Sequence, residues 1–313
     1  MRLVVSQQEV RTAIRKKPGF YRYLPLYISI SPFYILFAIF GLFPVAFSLY
    51  LAFQKWDGIG TMQFVGWNQF AYLLSDRYFW LSLVNTLEIW LLATLPMLAL
   101  GLIFAFLLGF VARWRLFYQI IYLLPHVTSV VAITIIFGSL FGNHFGLLNA
   151  LLNGLGLHSI AWLNNPLGIK VAIATMIAWR GTGYYALIYL AGLQGIPSVL
   201  YEAARIDGAR TWHIFWHITL PLLRPIILFT VITSTISGLQ VFTEPQVLFT
   251  GFGSGNAGGP GGAGMTMVLY LYQQAFEGHQ FGYGAAIGWG LFVLITLFSI
   301  VNWQIVQRPG RRK

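Results

Sequence analysis

Charged residues and cysteine are scarce in this chain. Asp, Glu, Lys and Arg together make up 9% of its 313 residues, whereas a soluble globular domain has about 25%. So few charges cannot cover a water-facing surface, which excludes an ordinary soluble enzyme and a disordered chain. Cysteine is absent, and its absence excludes disulfides, thiolate metal sites and cysteine nucleophiles.

Hydrophobic residues are abundant, at 58% of the chain, and they fall in long continuous runs. A helix that crosses a bilayer needs about 20 mainly apolar residues, and six runs reach that length. Because the runs are continuous and do not alternate, a membrane β-barrel is excluded. The sequence predicts an all-α membrane protein with six transmembrane helices, at Tyr27–Phe53, Trp80–Val111, Phe117–Phe141, Ile169–Gly192, Leu222–Leu248 and Gly284–Val306.

The net charge of +11 follows from the membrane topology, because positive residues are retained on the cytoplasmic side. Fifteen of the 19 Lys and Arg residues lie in the N-terminal arm, the loops after the second and fourth runs, and the C-terminal tail. Both termini are therefore predicted to be cytoplasmic. We expect an arm at residues 1–26, a transmembrane domain at 27–308 and a basic tail at 309–313, with a cytoplasmic loop at 195–225 and an external loop at 251–282.

The predicted cytoplasmic loop, residues 195–225, has the pattern of a helix–turn–helix. Ser198 is the expected N-cap of a first helix, and Gly208 can end that helix in the left-handed conformation. Thr211 is the expected cap of a second short helix, which Pro221 interrupts. Asp207 lies near a helix C-terminus, where its charge is unfavourable, so we expect a neighbouring arginine, Arg205 or Arg210, as its partner.

This loop also matches a pattern of seven spaced positions: Glu-Ala-Ala, three residues, Gly, nine residues, then Ile-x-Leu-Pro. The chain supplies every position, with Glu202, Ala203, Ala204, Gly208, Ile218, Leu220 and Pro221. These residues resemble the signature loop of the membrane subunits of binding-protein-dependent ABC importers. The surrounding LAGLQGIPSVLYEAARIDGA is similar to the carbohydrate branch of that family, in particular to the maltose- and lactose-type first permease. FVGWNQFAYLLSDRYFWLSLVNTL, GGP at 258–260 and YQQAFEGHQFGYGAA are similar as well.

The resemblance implies the type I ABC importer fold in a bacterial or archaeal cytoplasmic membrane. It implies a second homologous permease, two copies of a cytoplasmic ABC ATPase and an extracytoplasmic sugar-binding protein as partners. ATP and magnesium would bind to the ATPase, since this chain has no Walker A run; no cofactor and no enzymatic activity are expected here. The resemblance assigns ATPase coupling to Glu202, Ala203, Ala204, Asp207, Gly208, Ile218, Leu220 and Pro221.

The glycine-rich stretch GFGSGNAGGPGGAG departs from the family pattern. Seven residues separate Thr250, which ends the fifth run, from Gly258 of the GGP sequence. Three of its glycines have the dinucleotide-binding spacing, but the stretch follows no soluble strand and opens no helix of a βαβ unit. We expect it to lie outside the cell, near a docked solute-binding protein or the entrance of the path.

Polar residues within the runs are the candidates for a substrate path, because such residues usually face a bundle interior or a watery cavity. Pro245 can break the fifth helix and expose backbone acceptors. A sugar needs hydrogen-bonding partners and flat apolar faces, so the predicted path residues are the polar cluster Gln240, Thr243, Glu244 and Gln246, with Tyr184, Tyr185 and Trp289 as aromatic surfaces. Alternatively, these polar groups only bond neighbouring helices. Arg180 is expected to be structural, paired with a carboxylate or with carbonyl groups.

The residues give less support to two other functions. An ion-coupled transporter working without an ATPase would use Glu88 and Glu244 as cation or proton sites, but no inverted repeat of broken helices is visible. An intramembrane enzyme has no support, since no pair of Asp residues and no serine–histidine arrangement lies on facing runs. His213 and His217 are four residues apart, but Ile214 stands where a zinc protease has its glutamate, so no metal is expected.

Overall fold

The computed structural model describes residues 20–110, 114–143, 146–250 and 258–307. The chain divides into two compact units, Met1–Leu51 and Ala52–Lys313. In the first unit, helix α1 (Phe20–Phe37) continues through a π turn (Ala38–Leu42) into α2 (Phe43–Leu51). Most of the predicted N-terminal arm lies outside the described residues, although its last part, from Phe20 onward, is already helical. The predicted tail, 309–313, also lies outside them.

The second unit is helical, with one short hairpin at its start. Strands β1 (Gln54–Lys55) and β2 (Gln63–Phe64) pair antiparallel, with Gln54 opposite Phe64. The helices are α3 (Asn68–Ser75), α4 (Arg77–Phe110), α5 (Arg115–Val127), α6 (Val130–Leu140), α7 (Leu147–Gly154), α8 (Pro166–Gln194), α9 (Ser198–Ile206), α10 (Thr211–Ile214), α11 (Leu220–Leu222), α12 (Arg224–Leu239), α13 (Thr243–Thr250), α14 (Met267–Tyr272) and α15 (Phe281–Gln307). The π turns Phe215–Thr219 and Gln273–Glu277 and the 3₁₀ turns Trp162–Asn164 and Pro260–Gly262 join some of them.

Four helical stretches of the described chain are long and apolar enough to cross a membrane, or five if a bent pair counts as one span. They are Tyr23–Leu51, Arg77–Gly109, Arg224–Thr250 and Phe281–Gln304, with Leu116–Val127 and Val130–Leu140 as the bent pair. Helix α8 has 29 residues, which is enough to cross about 30 Å of hydrocarbon. It contains Lys170 and Arg180, and it is not among the stretches that meet the apolar criterion.

The predicted span Phe117–Phe141 is not one continuous helix. The chain bends by 90° between α5 and α6. Thr128 is extended, and its hydroxyl donates to the carbonyl oxygen of Leu124 at 2.9 Å. This hydrogen bond occupies an acceptor at the end of α5, so α5 ends at Val127, two residues after Pro125.

The fifth predicted span is also interrupted, but the break, at residues 240–242, comes before Pro245 and not at it. Helix α12 ends at Leu239, and α13 begins at Thr243. Pro245 lies in the first turn of α13, where a missing N–H costs no helical hydrogen bond. The carbonyl oxygen of Val241, in the gap, accepts from the hydroxyl of Thr266 at 2.6 Å. This acceptor of the non-helical backbone is therefore satisfied by a protein group, as a membrane-embedded break requires.

Hydrogen bonds to Asp76, which lies between α3 and α4, connect this part of the chain to α14 and α15. The carboxylate of Asp76 is buried; its Oδ2 accepts hydrogen bonds from the hydroxyls of Tyr270 and Tyr283. Its Oδ1 accepts from the backbone N–H of Tyr78 at 2.8 Å. Segments nearly 200 residues apart are thus fastened to one side chain. The part of the predicted external loop, 251–282, that the structure describes is partly helical, over α14 and the π turn that follows it.

The helices α5 and α8 approach each other closely at a glycine. A Cβ added to Gly183 would lie 1.8 Å from the carbonyl oxygen of Tyr122, which is backbone and cannot rotate away. Small residues permit such close crossings in membrane bundles. Gly109 of α4 offers a matched control, since nothing lies within 4 Å of a Cβ added there.

We expect Gly183→Ala to destabilise the protein by about 2 kcal/mol, because the added methyl forces the two helices apart. Gly109→Ala is expected to keep or slightly raise the stability, since alanine favours helix over glycine. Thermal unfolding of the two variants in the same detergent measures the difference. Equal unfolding temperatures would show that the α5–α8 crossing tolerates a side chain.

Candidate functional site

A cavity of about 500 Å³ lies among α4, α5, α8, α12 and the start of α13. The helix breaks described above border it: His126 lies in the last turn of α5, and residues 240–242 separate α12 from α13. The structure brings five of the seven predicted path residues together on the wall of this cavity. They are Tyr184, Tyr185, Gln240, Thr243 and Glu244.

The other two predicted path residues do not line the cavity. Trp289 of α15 packs against a separate core cluster that includes Tyr283 and Ile287. Its ring lies 5.2 Å from that of Phe292. Gln246 is half-buried, and its Oε1 is buried without a hydrogen-bond partner among the described residues.

An aromatic platform forms one wall of the cavity. The imidazole of His126 stacks on the ring of Tyr184, with 4.4 Å between ring centroids and 10° between the planes. The Nδ1 of His126 is buried and has no hydrogen-bond partner among the described residues. His126 was not predicted from the sequence, although the neighbouring Pro125 signals a helix end at that point. The flat face of the stacked rings suits a ligand that has an apolar surface.

Hydroxyl groups of α12 and the amide of the residue that follows it line a second wall. Ser234, Ser237 and Gln240 recur every three residues and all line the cavity, as does Thr94 of α4. Of these four residues, only Gln240 was predicted from the sequence. The period of three is the signal that identifies the serines, since residues three apart share one face of a helix.

Both carboxylates of the predicted spans are ion-paired. Glu244 Oε1 lies 3.5 Å from Arg180 Nη1, and Glu88 pairs with Lys170. The expectation that Arg180 has a carboxylate partner is therefore confirmed. These pairs do not favour an ion-coupled transporter, because each carboxylate already has a cationic partner within the chain.

The loop 195–225 folds as two helices joined by a tight turn. Helix α9 ends in a Schellman motif: the N–H of Ala209 donates to Ala204 O at 2.9 Å, and the N–H of Gly208 donates to Arg205 O at 3.1 Å. Gly208 has a φ of 76°, the left-handed conformation that the motif requires. The predicted role of Gly208 as the end of the first helix is confirmed.

Some of the finer predictions for the loop are wrong. Helix α9 begins at Ser198, and Pro197 occupies the N-cap position without a side-chain hydrogen bond. Likewise α10 begins at Thr211, after the extended Arg210. Pro221 does not interrupt the second helix, which runs from α10 through the π turn Phe215–Thr219 into α11 and ends at Leu222. The wider π turn accommodates proline, which has no backbone N–H to donate.

The predicted partner of Asp207 is not present either. The described residues place no cation within ion-pair distance of this carboxylate, and Asp207 is exposed. Water can therefore solvate the charge that the helix C-terminus disfavours.

The loop presents an exposed face while its other side is anchored. Glu202, Ala203, Asp207 and Gly208 are exposed, Ala204 is buried, and Ile218, Leu220 and Pro221 are half-buried. The hydroxyl groups of Tyr201 and Thr219 are 3.3 Å apart and tie the two helices together. Phe215 packs edge-on against Phe106 of α4 at 4.9 Å. A large apolar side chain, Ile206, is 86% exposed beside the turn.

His213 and His217 stack on each other on the exposed side of α10, with 4.0 Å between ring centroids. Nδ1 of His217 lies 3.1 Å from the carbonyl oxygen of His213. Within the described ranges, no group of three or more His, Asp or Glu residues is placed to hold a metal ion.

The fold and the cavity define a polytopic membrane protein whose helices are broken around a polar chamber. Residues 89–311 match the family of binding-protein-dependent transport system inner membrane components, and the chain belongs to that family. It is 33% identical to the arabinooligosaccharides transport system permease protein AraP of Halalkalibacterium halodurans, over 88% of this chain and 85% of that one. It is 34% identical to the lactose transport system permease protein LacF of Rhizobium radiobacter, over 90% and 93%.

A solved structure shares the fold. It is a bacterial alginate ABC transporter in complex with an alginate pentasaccharide-bound periplasmic protein, with a TM-score of 0.79 and 24% identity. The match covers 93% of this chain and 96% of that chain. The chain therefore has the fold of an ABC importer permease, and it is a multi-pass membrane protein.

Proposed function

We propose that this chain is the permease subunit of an ATP-driven, binding-protein-dependent importer of a di- or oligosaccharide. The observation that most strongly supports the proposal is that the chain belongs to the family of binding-protein-dependent transport system inner membrane components. Relatives at 33–34% identity over most of their length are permeases whose names specify arabinooligosaccharides, lactose, and trehalose or maltose. The polar cavity and the exposed loop 195–225 supply the two sites that such a subunit needs.

The proposed topology has six spans and both termini in the cytoplasm of a bacterium or archaeon. The sixth span, beyond the apolar stretches and the bent pair, is α8, whose charges have partners within the chain: Lys170 pairs with Glu88 and Arg180 with Glu244. Paired charges reduce the cost of placing such a helix in a membrane. The distribution of Lys and Arg along the chain sets the orientation.

The loop 195–225 is the proposed contact with a cytoplasmic ABC ATPase, which binds ATP and magnesium. Glu202, Ala203, Asp207 and Gly208 form its exposed turn. Ile218, Leu220 and Pro221 are half-buried in the second part of the loop, and Ala204 is buried. Two ATPase copies, a second homologous permease and an extracytoplasmic sugar-binding protein complete the assembly. Closure of the ATPase pair moves the loop, and the cavity alternates between two accessible states because the partners bind those states differently.

The cavity is the proposed half of the translocation path. The stacked His126 and Tyr184 offer a flat face to the apolar side of a sugar ring. Ser234, Ser237, Gln240 and similar groups offer hydrogen bonds to its hydroxyls. A cavity of about 500 Å³ is within the size range of small-molecule sites.

Uptake in proteoliposomes tests the energy source. The complex is reconstituted with its binding protein, whose preferred sugar is first identified by thermal shift against neutral di- and oligosaccharides. We expect uptake of that sugar to require ATP with the ATPase and to persist when a protonophore collapses the proton gradient. Uptake that continues without ATP and stops with the protonophore would instead establish the ion-coupled alternative.

A further inference from the structure

The ion pair between Arg180 and Glu244 lies on the wall of the cavity. It joins α8 to α13, with 3.5 Å between Nη1 and Oε1. The side chain of Glu244 is 10% exposed and that of Arg180 is 30% exposed. The pair is thus part of the surface that a solute in the cavity meets.

Within the described wall of the cavity, these two side chains are the fully charged groups. The other titratable residues that face it are His126, Tyr184 and Tyr185. Serine, threonine, glutamine and apolar side chains make up most of the remaining wall. The Lys170–Glu88 pair is not part of the lining. The charges of the wall therefore sum to zero when Arg180 and Glu244 are both ionised.

Two polar atoms of the wall are buried and lack partners within the described chain, Arg180 Nε and His126 Nδ1. Arg180 directs Nη1 toward Glu244 and leaves its Nε–H unpaired. Buried polar groups without a partner are costly. The charged group of Arg180 that has a partner is therefore the guanidinium Nη1, which faces Glu244.

A sugar carboxylate meets a different environment. The charge of Arg180 is already balanced by Glu244, and Glu244 repels a second carboxylate placed beside the pair. Taking an anion out of water is costly unless a cation compensates it. We propose that the Arg180–Glu244 pair restricts the path to uncharged glycans and rejects uronates. The proposal rests on the function proposed above and specifies the substrate class of that site. The structural neighbour, in contrast, is involved in the import of the acidic polysaccharide alginate.

The test uses the purified importer complex in nanodiscs of zwitterionic lipid, without ATP and without the binding protein. The ligands are neutral trisaccharides (maltotriose, cellotriose and galactotriose) and their C6-oxidised triuronates. The two members of each pair differ only by the exchange of CH₂OH for a carboxylate on each of the three sugar residues. Ligand-observed NMR titration gives the ratio of the two dissociation constants, and Tyr184→Ala, which removes the aromatic platform, identifies the binding that occurs in the cavity.

We expect the wild type to bind the neutral trisaccharide at least about tenfold more tightly than its triuronate, from the Coulomb energy of one uncompensated charge in a partly wet site. Glu244→Gln leaves Arg180 unpaired and is expected to reduce that preference about tenfold. The double variant Arg180→Gln, Glu244→Gln is neutral again and is expected to restore the preference. Arg180→Gln alone leaves an anionic cavity and is expected to increase it.

An unchanged ratio in Glu244→Gln, or equal binding of both ligands by the wild type, overturns the charge proposal. The proposed path still stands in that case, provided that Tyr184→Ala abolishes the neutral binding. If no neutral trisaccharide binds to the folded wild type, the glycan path itself fails, and the charge proposal fails with it. Should Glu244→Gln not assemble, Arg180→Gln decides the question, because an unchanged ratio there also overturns the proposal.

Discussion

Gly208→Val is expected to reduce ATP-driven uptake by about 100-fold or more while the protein still inserts and folds. Gly208 has a φ of 76°, and a β-branched residue is strained in that conformation. The turn of the Schellman motif must then open, and the exposed surface around Glu202 and Asp207 is displaced. Because nothing lies within 4 Å of an added Cβ, the loss comes from the altered turn and not from a clash inside this chain.

Gly208→Asn is the matched control, since asparagine tolerates the left-handed conformation. It is expected to retain most of the uptake. Glu202→Lys alters the exposed charge of the same surface and leaves the turn intact, and it is expected to reduce uptake strongly as well. Uptake per assembled complex, with expression and thermal unfolding measured alongside, separates coupling from folding. Normal uptake by an assembled Gly208→Val complex would contradict the assigned role of the loop.

Asp76→Ala is expected to produce the largest loss of stability in the chain, about 3 kcal/mol. The substitution removes an acceptor of three hydrogen bonds and leaves the hydroxyls of Tyr270 and Tyr283 buried without their partner. Hydrogen bonds to charged groups contribute about 1.5–3 kcal/mol each, and orphaned donors add to the cost. For a chain of this size, the loss corresponds to a fall of about 10 °C in the apparent unfolding temperature.

Ser75→Ala serves as the control for Asp76→Ala. Ser75 is the adjacent residue, it is exposed, and its hydroxyl donates only to the local carbonyl oxygen of Tyr72. We expect this variant to unfold at the wild-type temperature, as followed by intrinsic tryptophan fluorescence in nanodiscs. If both variants unfold at the same temperature, the hydrogen bonds of the Asp76 carboxylate do not contribute to the stability of the protein.

The helices could be predicted from the sequence because length and hydropathy determine them locally. The predicted span Trp80–Val111 corresponds to α4 (Arg77–Phe110), and Gly284–Val306 corresponds to α15. The breaks were not predicted correctly, because they depend on distant partners. The gap after Leu239 is satisfied by Thr266, a residue that no local pattern connects to it.

In the candidate sites, too, features that depend on local sequence were predicted, and features that depend on distant contacts were not. The turn at Gly208 was predicted, since only local spacing and glycine chemistry decide it. In the cavity, Glu244 was predicted because it is a charged residue within an apolar run, and Tyr184 was predicted as an aromatic surface for a sugar. His126 was missed because its position on the wall depends on the bend between α5 and α6. Trp289 was assigned to the path on chemistry alone, and its packing in another cluster follows from helix contacts that composition does not reveal.

The fastening of Asp76 also has a consequence for biosynthesis. Its partners Tyr270 and Tyr283 are 194 and 207 residues further along the chain, so the carboxylate has only its local hydrogen bond from the N–H of Tyr78 until almost the entire polypeptide has been synthesised. Contacts of such high sequence separation form late. This buried cluster therefore forms only after translation is nearly complete, and a nascent chain that stalls before Tyr270 lacks two of the three hydrogen bonds to Asp76.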